Sequence, residues 1–276
     1  MAGAVSAGAY TAGAVDFLLE ALEALDKAQA EGGDDAPKHR VLIQAMVGSS
    51  AGGMVAAMLA SLARWDIEHA DQFGLEKSTE ENPLHAVWVK QADINIMTKL
   101  NDMKFRKPLP SVLNSRGFHD LVSDAVKDRQ QRIDLRRRCR RRHFAPDMRL
   151  RLTTTNLRGI PFGASMFSTL PPGVAPPEHA MTRHADYVEF TLGDQGVAGA
   201  YTLDPGSLDD PAWARLRSVA LATGAFPIGF APIEVPAHRS DYDGRTYLSG
   251  EGPVQLPPRW GGRRLSTPTT RWMAGR

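Results

Sequence analysis

The chain has 276 residues, 42% of them apolar and 23% charged, with a formal net charge of +2. That is ordinary for a globular protein with one sizeable core, and it excludes a disordered composition and a whole-chain polyelectrolyte role. A single cysteine, Cys139, excludes an intramolecular disulfide and any multi-cysteine metal site, and fits a reducing, cytoplasmic setting.

Met1 to Gly13 is rich in glycine, alanine and serine and runs into Val15, Leu18, Leu19, Leu22 and Leu25, a helical stripe. No basic region precedes this apolar stretch, so no secretory signal is expected. A small-residue loop that opens a helix offers bare backbone N–H groups to an anion. From these residues alone a plain tight turn with close helix packing reads equally well. No lysine follows Gly8, and the glycine spacing is not the dinucleotide fingerprint.

Val41 to Ala63 carries the strongest signal. Val41 to Val47 is aliphatic and strand-length; Met54, Val55, Met58, Leu59 and Leu62 then recur at helical spacing. Between them Gly48-Ser49-Ser50-Ala51-Gly52 spells G-x-S-x-G. On a sharp strand-to-helix turn the serine is strained, with its hydroxyl projecting from the sheet. Gly48 and Gly52 avoid a Cβ in the tight turn. The helix dipole points back at the serine, where negative charge develops in acyl transfer. A structural turn is the competing reading. A membrane span is disfavoured, although the run is uncharged, because Gln44, Ser49, Ser50 and three glycines sit in its middle.

Asp71 to Pro110 reads as helices and loops, with Ala86-Val87-Trp88-Val89 apolar, as in a lid or acyl-binding wall. Arg136 to Arg142, interrupted by Cys139, is a basic run. It reads first as a solvated surface. Its functional reading is peripheral contact with an anionic membrane, about 1 kcal/mol per basic residue. Aromatics do not interleave with the arginines, so nucleic acid is not a partner. Arg149 to Leu157 and Asp186 to Leu192 read as strands separated by a proline-rich loop, Pro171 to Pro177. Ser218 to Pro232 is a small-residue helix ending in Ala225-Phe226-Pro227. The eight histidines show no metal-ligand spacing, so no metal is expected. Pro257 to Arg276 holds five arginines, three threonines, three prolines and no acid, and is expected to be an irregular basic tail.

Small-residue loop and helix, then strand, G-x-S-x-G and helix, resembles the patatin-like phospholipase family. Gly3, Ala4 and Val5 fall on the three glycines of that family's oxyanion loop, Ala7 on its basic residue, and Tyr10-Thr11-Ala12-Gly13 on its first-helix entry. Gly48, Ser49, Ser50, Ala51 and Gly52 match its nucleophile motif. The 149–157 strand and the Ala225-Phe226-Pro227 segment match later parts. The resemblance implies an α/β fold of three layers, with a mostly parallel central sheet and helices on both faces. It covers a domain from 1 to 256, incomplete at both ends, followed by the 257–276 tail. It implies hydrolysis of a phospholipid or other acyl lipid without a cofactor, with Ser50 as nucleophile and backbone N–H groups at Gly3, Ala4 and Val5 as oxyanion hole.

The resemblance also implies a Ser–Asp dyad, with the aspartate in a D-G-G or D-G-A motif after the F-P segment. Here Asp243-Gly244 is followed by Arg245, and a turn aspartate is the competing reading. Tyr247 to Pro253 has the shape of the family segment but places Ser249 where the aspartate belongs. The genetic code offers a further reading. Trp272 and Met273 have single codons, TGG and ATG, and read from the last base of the Arg271 codon they give an apolar residue, then Asp, then Gly. The expectation is therefore a weak or inactive hydrolase, shifted in frame and short of its base. Two rivals are open: a pseudo-hydrolase without activity, and a Ser–His–Asp α/β-hydrolase using His238, for which Ser50 comes early in the chain.

Overall fold

The sequence Ile43 to Leu62 folds as the strongest local unit: strand β1 (Ile43–Gly48), a turn, and helix α2 (Ala51–Leu62). α2 carries no charge because it is buried on all sides, only Ser61 being partly exposed. No helix among the described residues is long and apolar enough to cross a membrane. The structure, a computed structural model, describes residues 1, 8–32, 36–63, 67, 82–91, 93–99, 111–120, 122–123, 142–165, 178–193, 196–197, 199–204, 210–249, 252–255, 257–260 and 269–275.

Helix α1 (Gly8–Glu31) precedes this unit and buries Val15, Leu19 and Leu22 of its apolar stripe. Leu18 of the same stripe is exposed. Two short helices follow, α3 (Pro83–His85) and α4 (Ile94–Thr98). Each starts on a side-chain cap: Asn82 accepts from the Leu84 and His85 N–H groups, and Asp93 from that of Asn95. Helix α5 (Pro211–Gly224) starts the same way, with Asp210 as cap and proline in the first turn, where a missing N–H costs nothing.

The remaining strands are β2 (Phe144–Ser165), β3 (Glu178–Leu192), β4 (Tyr201–Leu203), β5 (Ile233–His238), β6 (Thr246–Ser249), β7 (Gly252–Gln255) and β8 (Thr269–Gly275). They form a mixed sheet in the order β4-β3-β2-β8-β5, with β1 also on β2, and a separate β6–β7 hairpin. β1 runs parallel to β2, and β4 parallel to β3; β3 and β8 are antiparallel to β2, and β5 is antiparallel to β8. With helices packed on this sheet, the class is α/β.

β2 is long enough to hold two neighbours on one edge. β1 pairs with its first part, from Ile43↔Phe144 to Gly48↔Leu152. β8 takes the same edge further on, at Thr155↔Gly275 and Asn156↔Ala274. Between Thr155 and Ile160 the strand bulges against β3. Asn156 shapes the bulge, its side-chain oxygen accepting from the N–H groups of Arg158 and Gly159. The bulge also needs Gly159 at φ 74°.

Met148, Leu150 and Leu152 of β2 are fully buried in one core with residues of α2, α5 and α1. Arg149 and Arg151 alternate with them and pair with Glu189 on the other side of the strand. The 257–276 tail differs from its expected irregularity, since residues 269–275 form β8 inside the sheet. Strand pairing rests on backbone N–H and C=O groups, which a threonine- and arginine-rich segment has as fully as an apolar one. Pairing of that kind leaves no periodic trace in the sequence.

Candidate active site

The chain turns sharply between β1 and α2, and Ser50 is the residue that makes the turn. Its backbone sits at φ 55° and ψ −128°. Positive φ is rare outside glycine and costs of order 1–3 kcal/mol, held in place by what surrounds it. Ser50 is the N-cap of α2, its carbonyl accepting from Gly53 and Met54 at 2.9 and 3.1 Å. Its side chain makes no capping hydrogen bond. The residue is partly exposed.

Small residues hold the turn closed. A Cβ on Gly48 would lie 2.5 Å from the Gly52 carbonyl oxygen and the Gly53 Cα. No real Cβ comes so close to backbone, so Gly48 is required there. On the helix side the demand falls on Gly53, whose Cβ would lie 2.6 Å from the Thr223 methyl. Thr223, at the end of α5, is buried and accepts the Ser50 N–H on its hydroxyl at 2.8 Å. It is the supporting residue that sequence reasoning passed over. The signal was present in the small-residue run Leu221-Ala222-Thr223-Gly224-Ala225, which lets two helices approach closely.

Gly3, Ala4 and Val5 lie outside the described residues, but both ends of their segment are placed. The Met1 amino group donates to the Val47 carbonyl at 2.7 Å, and the Ser49 N–H donates to the Met1 carbonyl at 3.3 Å. These two bonds flank Gly48 in the pattern of parallel strand neighbours. Met1 thus stands beside Gly48, and the described chain resumes at Gly8, the start of α1.

Among the described residues, neither candidate for a base hydrogen-bonds to Ser50. Tyr242 packs with Ile160 and Ala237, and Asp243, next along, is exposed at a turn after β5. Gly48 stands level with Leu152, and Leu152 with Val188; Ile160 stands level with Arg183. The Tyr242 hydroxyl nevertheless reaches back to Asp186, which stands opposite Thr154. His238 ends β5, and its backbone N–H donates to Asp241. Ser249 pairs with Gly252 in the β6–β7 hairpin, off the main sheet. Glu251 and Arg136 to Arg141 lie outside the described residues. Arg142 is exposed.

One described carboxylate stands closer in register. Asp186 is opposite Thr154, across β2 from the turn. Its oxygens accept from Arg245, the Tyr242 hydroxyl, the Asn156 amide and the Tyr187 N–H. The Asp186 and Arg245 side chains are 9% and 10% exposed. Burial first, and then the Asp186 charge, hold the Tyr242 phenol well above its usual range. Arg245 also stacks on the Tyr187 ring, as does Arg151.

A family model described as patatin-like phospholipase matches residues 1–251 of the chain. An uncharacterised protein of Sinorhizobium fredii (strain NBRC 101917 / NGR234), y4iI, is 28% identical over 289 residues. That alignment covers 94% of this chain and 39% of the relative, so the chain spans well under half of that protein's length. No solved structure matches.

Proposed function

Since the chain belongs to the patatin-like phospholipase family, we propose that it carries the machinery of a serine acyl hydrolase acting on lipids. Ser50 is the nucleophile in this reading. Its Oγ bonds to the ester carbonyl carbon while its proton passes to a carboxylate base. The tetrahedral oxyanion collapses, the alcohol leaves with a proton, and water then releases the acyl group from Ser50. The oxyanion is held by backbone N–H groups of the 2–7 segment at Gly3, Ala4 and Val5. The observation that carries the reading is the strained Ser50 backbone between β1 and α2, pinned by Thr223 and closed by Gly48. A hydroxyl that only capped a helix would require neither the strain nor the pin.

The base belongs, on this reading, to the β8 position. β8 runs along the β2 edge toward the end of β1, with Gly275 three residues of β2 beyond Leu152. In the neighbouring reading frame the codons of this strand place Asp-Gly at the 272–274 positions. The frame written here has no acid in β8, and Asp243 is a turn residue. The chain as written is accordingly a weak hydrolase, because general-base assistance is worth about 10²–10⁴-fold. Contact of the Arg136–Arg142 run with anionic lipid is a further part of the proposal.

The test compares the chain as written with a version restored to the neighbouring frame at Arg271, using a p-nitrophenyl ester. Restoration is expected to raise kcat by about 10²–10⁴-fold. Ser50→Ala should remove that gain and abolish fluorophosphonate labelling. Enzyme-like rates from the chain as written, lost on Asp243→Asn, would overturn the assignment of the base. Full activity in Ser50→Ala would overturn the nucleophile.

A further inference from the structure

At the opposite end of β1 from Ser50, the C-terminal half of α1, residues 38–41 and the start of β2 enclose a cavity of about 360 Å³. Lys38, Arg40 and Arg142 line it, with His39 and His143 beside them and, among the described residues, one acid, Asp26. Apolar groups of α1 and Phe144 form the rest of the wall. None of these residues takes part in the chemistry assigned to the Ser50 turn.

The basic wall is held in shape by hydrogen bonds between distant parts of the chain. Gln29 Nε2, on α1, donates to the carbonyls of Pro37 and His39 at 2.9 and 2.7 Å. The Arg40 guanidinium donates to the Arg142 carbonyl at 3.2 Å, across 102 positions of sequence. The next residue, His143, accepts the Ile43 N–H on its carbonyl at 2.7 Å and so joins the wall to the first rung of β1 and β2. The His143 ring is buried at 3% exposure, tilted against Phe144, with Nδ1 3.8 Å from the Asp26 carboxylate.

Three exposed cations gather around one small cavity, and among the described residues that line it only Asp26 opposes them. The fold brings them together from α1's connection and from the entry to β2. An anion with two negative charges balances the excess. Arginine forks match phosphate and carboxylate oxygens in plane and spacing, which a halide cannot use, and of these two a phosphomonoester carries the larger charge. The volume is near the lower end of ligand pockets, roughly 300–1,000 Å³. It suits a phosphate with a small attached group, not a whole lipid. We propose that this cavity is a binding site for a phosphomonoester group, separate from the Ser50 turn. The group is carried either by an anionic lipid headgroup or by a small soluble phosphate.

The experiment uses the full chain with Ser50→Ala, so that hydrolysis of lipid plays no part and the result is independent of the hydrolase reading. Phenyl phosphate is titrated calorimetrically against a sodium chloride control of equal ionic strength. Saturable binding above the control is expected, weakened about tenfold or more by Arg40→Ala and by Arg142→Ala. Arg158→Ala, an exposed arginine elsewhere, should leave it unchanged. Lys38→Glu provides a second, exposed variant whose circular dichroism melt reports intact folding. Co-sedimentation with phosphatidylcholine vesicles, with and without phosphatidic acid, separates the sources. Binding to the phosphatidic acid vesicles that phenyl phosphate displaces identifies the headgroup. Phenyl phosphate binding without vesicle binding identifies a soluble ligand. No binding of either above the chloride control, or equal affinity in folded Arg40→Ala, Arg142→Ala and Lys38→Glu proteins, overturns the proposal.

Discussion

The turn at Ser50 and the cluster around Asp186 lie near one level of the sheet, about two strand spacings apart across β2, and they are built from opposite materials. The turn is made of glycine, alanine and serine, and its strain is held by close backbone packing and one hydroxyl from Thr223. The cluster is made of ions and phenols, in which Asp186 accepts from four groups. The difference teaches where a base can come from. A carboxylate that already accepts four hydrogen bonds has no oxygen left to take a proton from serine, however near it stands. Proximity in register is therefore not availability, and the proposed base for Ser50 is sought on another element.

Ser50→Ala separates the two regions most sharply. In the frame-restored protein it should cost at least about 10³-fold in ester hydrolysis while leaving the melting temperature within a degree or so, about the effect of a surface change. A large stability loss with activity retained would mean that the turn is structural. Arg245→Met strikes the other region. It leaves Asp186 buried and unpaired, so denaturant unfolding should show a loss of about 3–5 kcal/mol. The double change Asp186→Leu with Arg245→Met should recover most of that loss, because the buried charge is then gone. Failure to recover would show that the cluster stabilises through more than its own neutralisation.

Gly48→Ala tests closure of the turn. The added Cβ meets backbone, which cannot move aside, so a loss of about 1–3 kcal/mol is expected in chemical denaturation. Thr223→Val keeps the shape against Gly53 but removes the acceptor for the Ser50 N–H. Its expected cost is about 1–2 kcal/mol, with a fall in kcat that Thr223→Ser restores. The smallest effect concerns Ile228, a β-branched residue at φ 70° that is 79% exposed. Ile228→Gly should be neutral or gain up to about 1 kcal/mol, since relief of backbone strain competes with glycine's added freedom when unfolded. A clear loss in that variant would mean that the strained loop after α5 is held by contacts of Ile228 itself.

The elements legible in the sequence are those set by local chemistry. β1, the turn and α2 follow from an aliphatic run, a G-x-S-x-G and a helical repeat, all within about twenty residues of chain. The α1 stripe and the small-residue helix before Phe226 are likewise visible because each buries a face with its own period, whereas in the 186–192 strand the residues from Glu189 to Leu192 are buried on both faces. The strain at Ser50 was readable for the same reason, since strand, G-x-S-x-G and helix follow in that order. β8 was not readable. Its pairing uses backbone groups of a threonine- and arginine-rich segment and depends on an open edge of β2 that β1 leaves free.

Tertiary structure alone decided the rest. Thr223 reaches Ser50 from 173 positions away, and Arg40 meets Arg142 from 102. No window of sequence contains both partners, and neither partner's own neighbourhood demands the other. Sequence by itself determined which residues could form a strained serine turn. The folding of distant segments onto β2 determined what supports that turn, which carboxylates are already engaged, and where the basic cavity lies. The physical reason is that turn geometry and periodicity are short-range properties of the chain, whereas hydrogen-bond satisfaction and charge balance are set by whatever the completed sheet brings together.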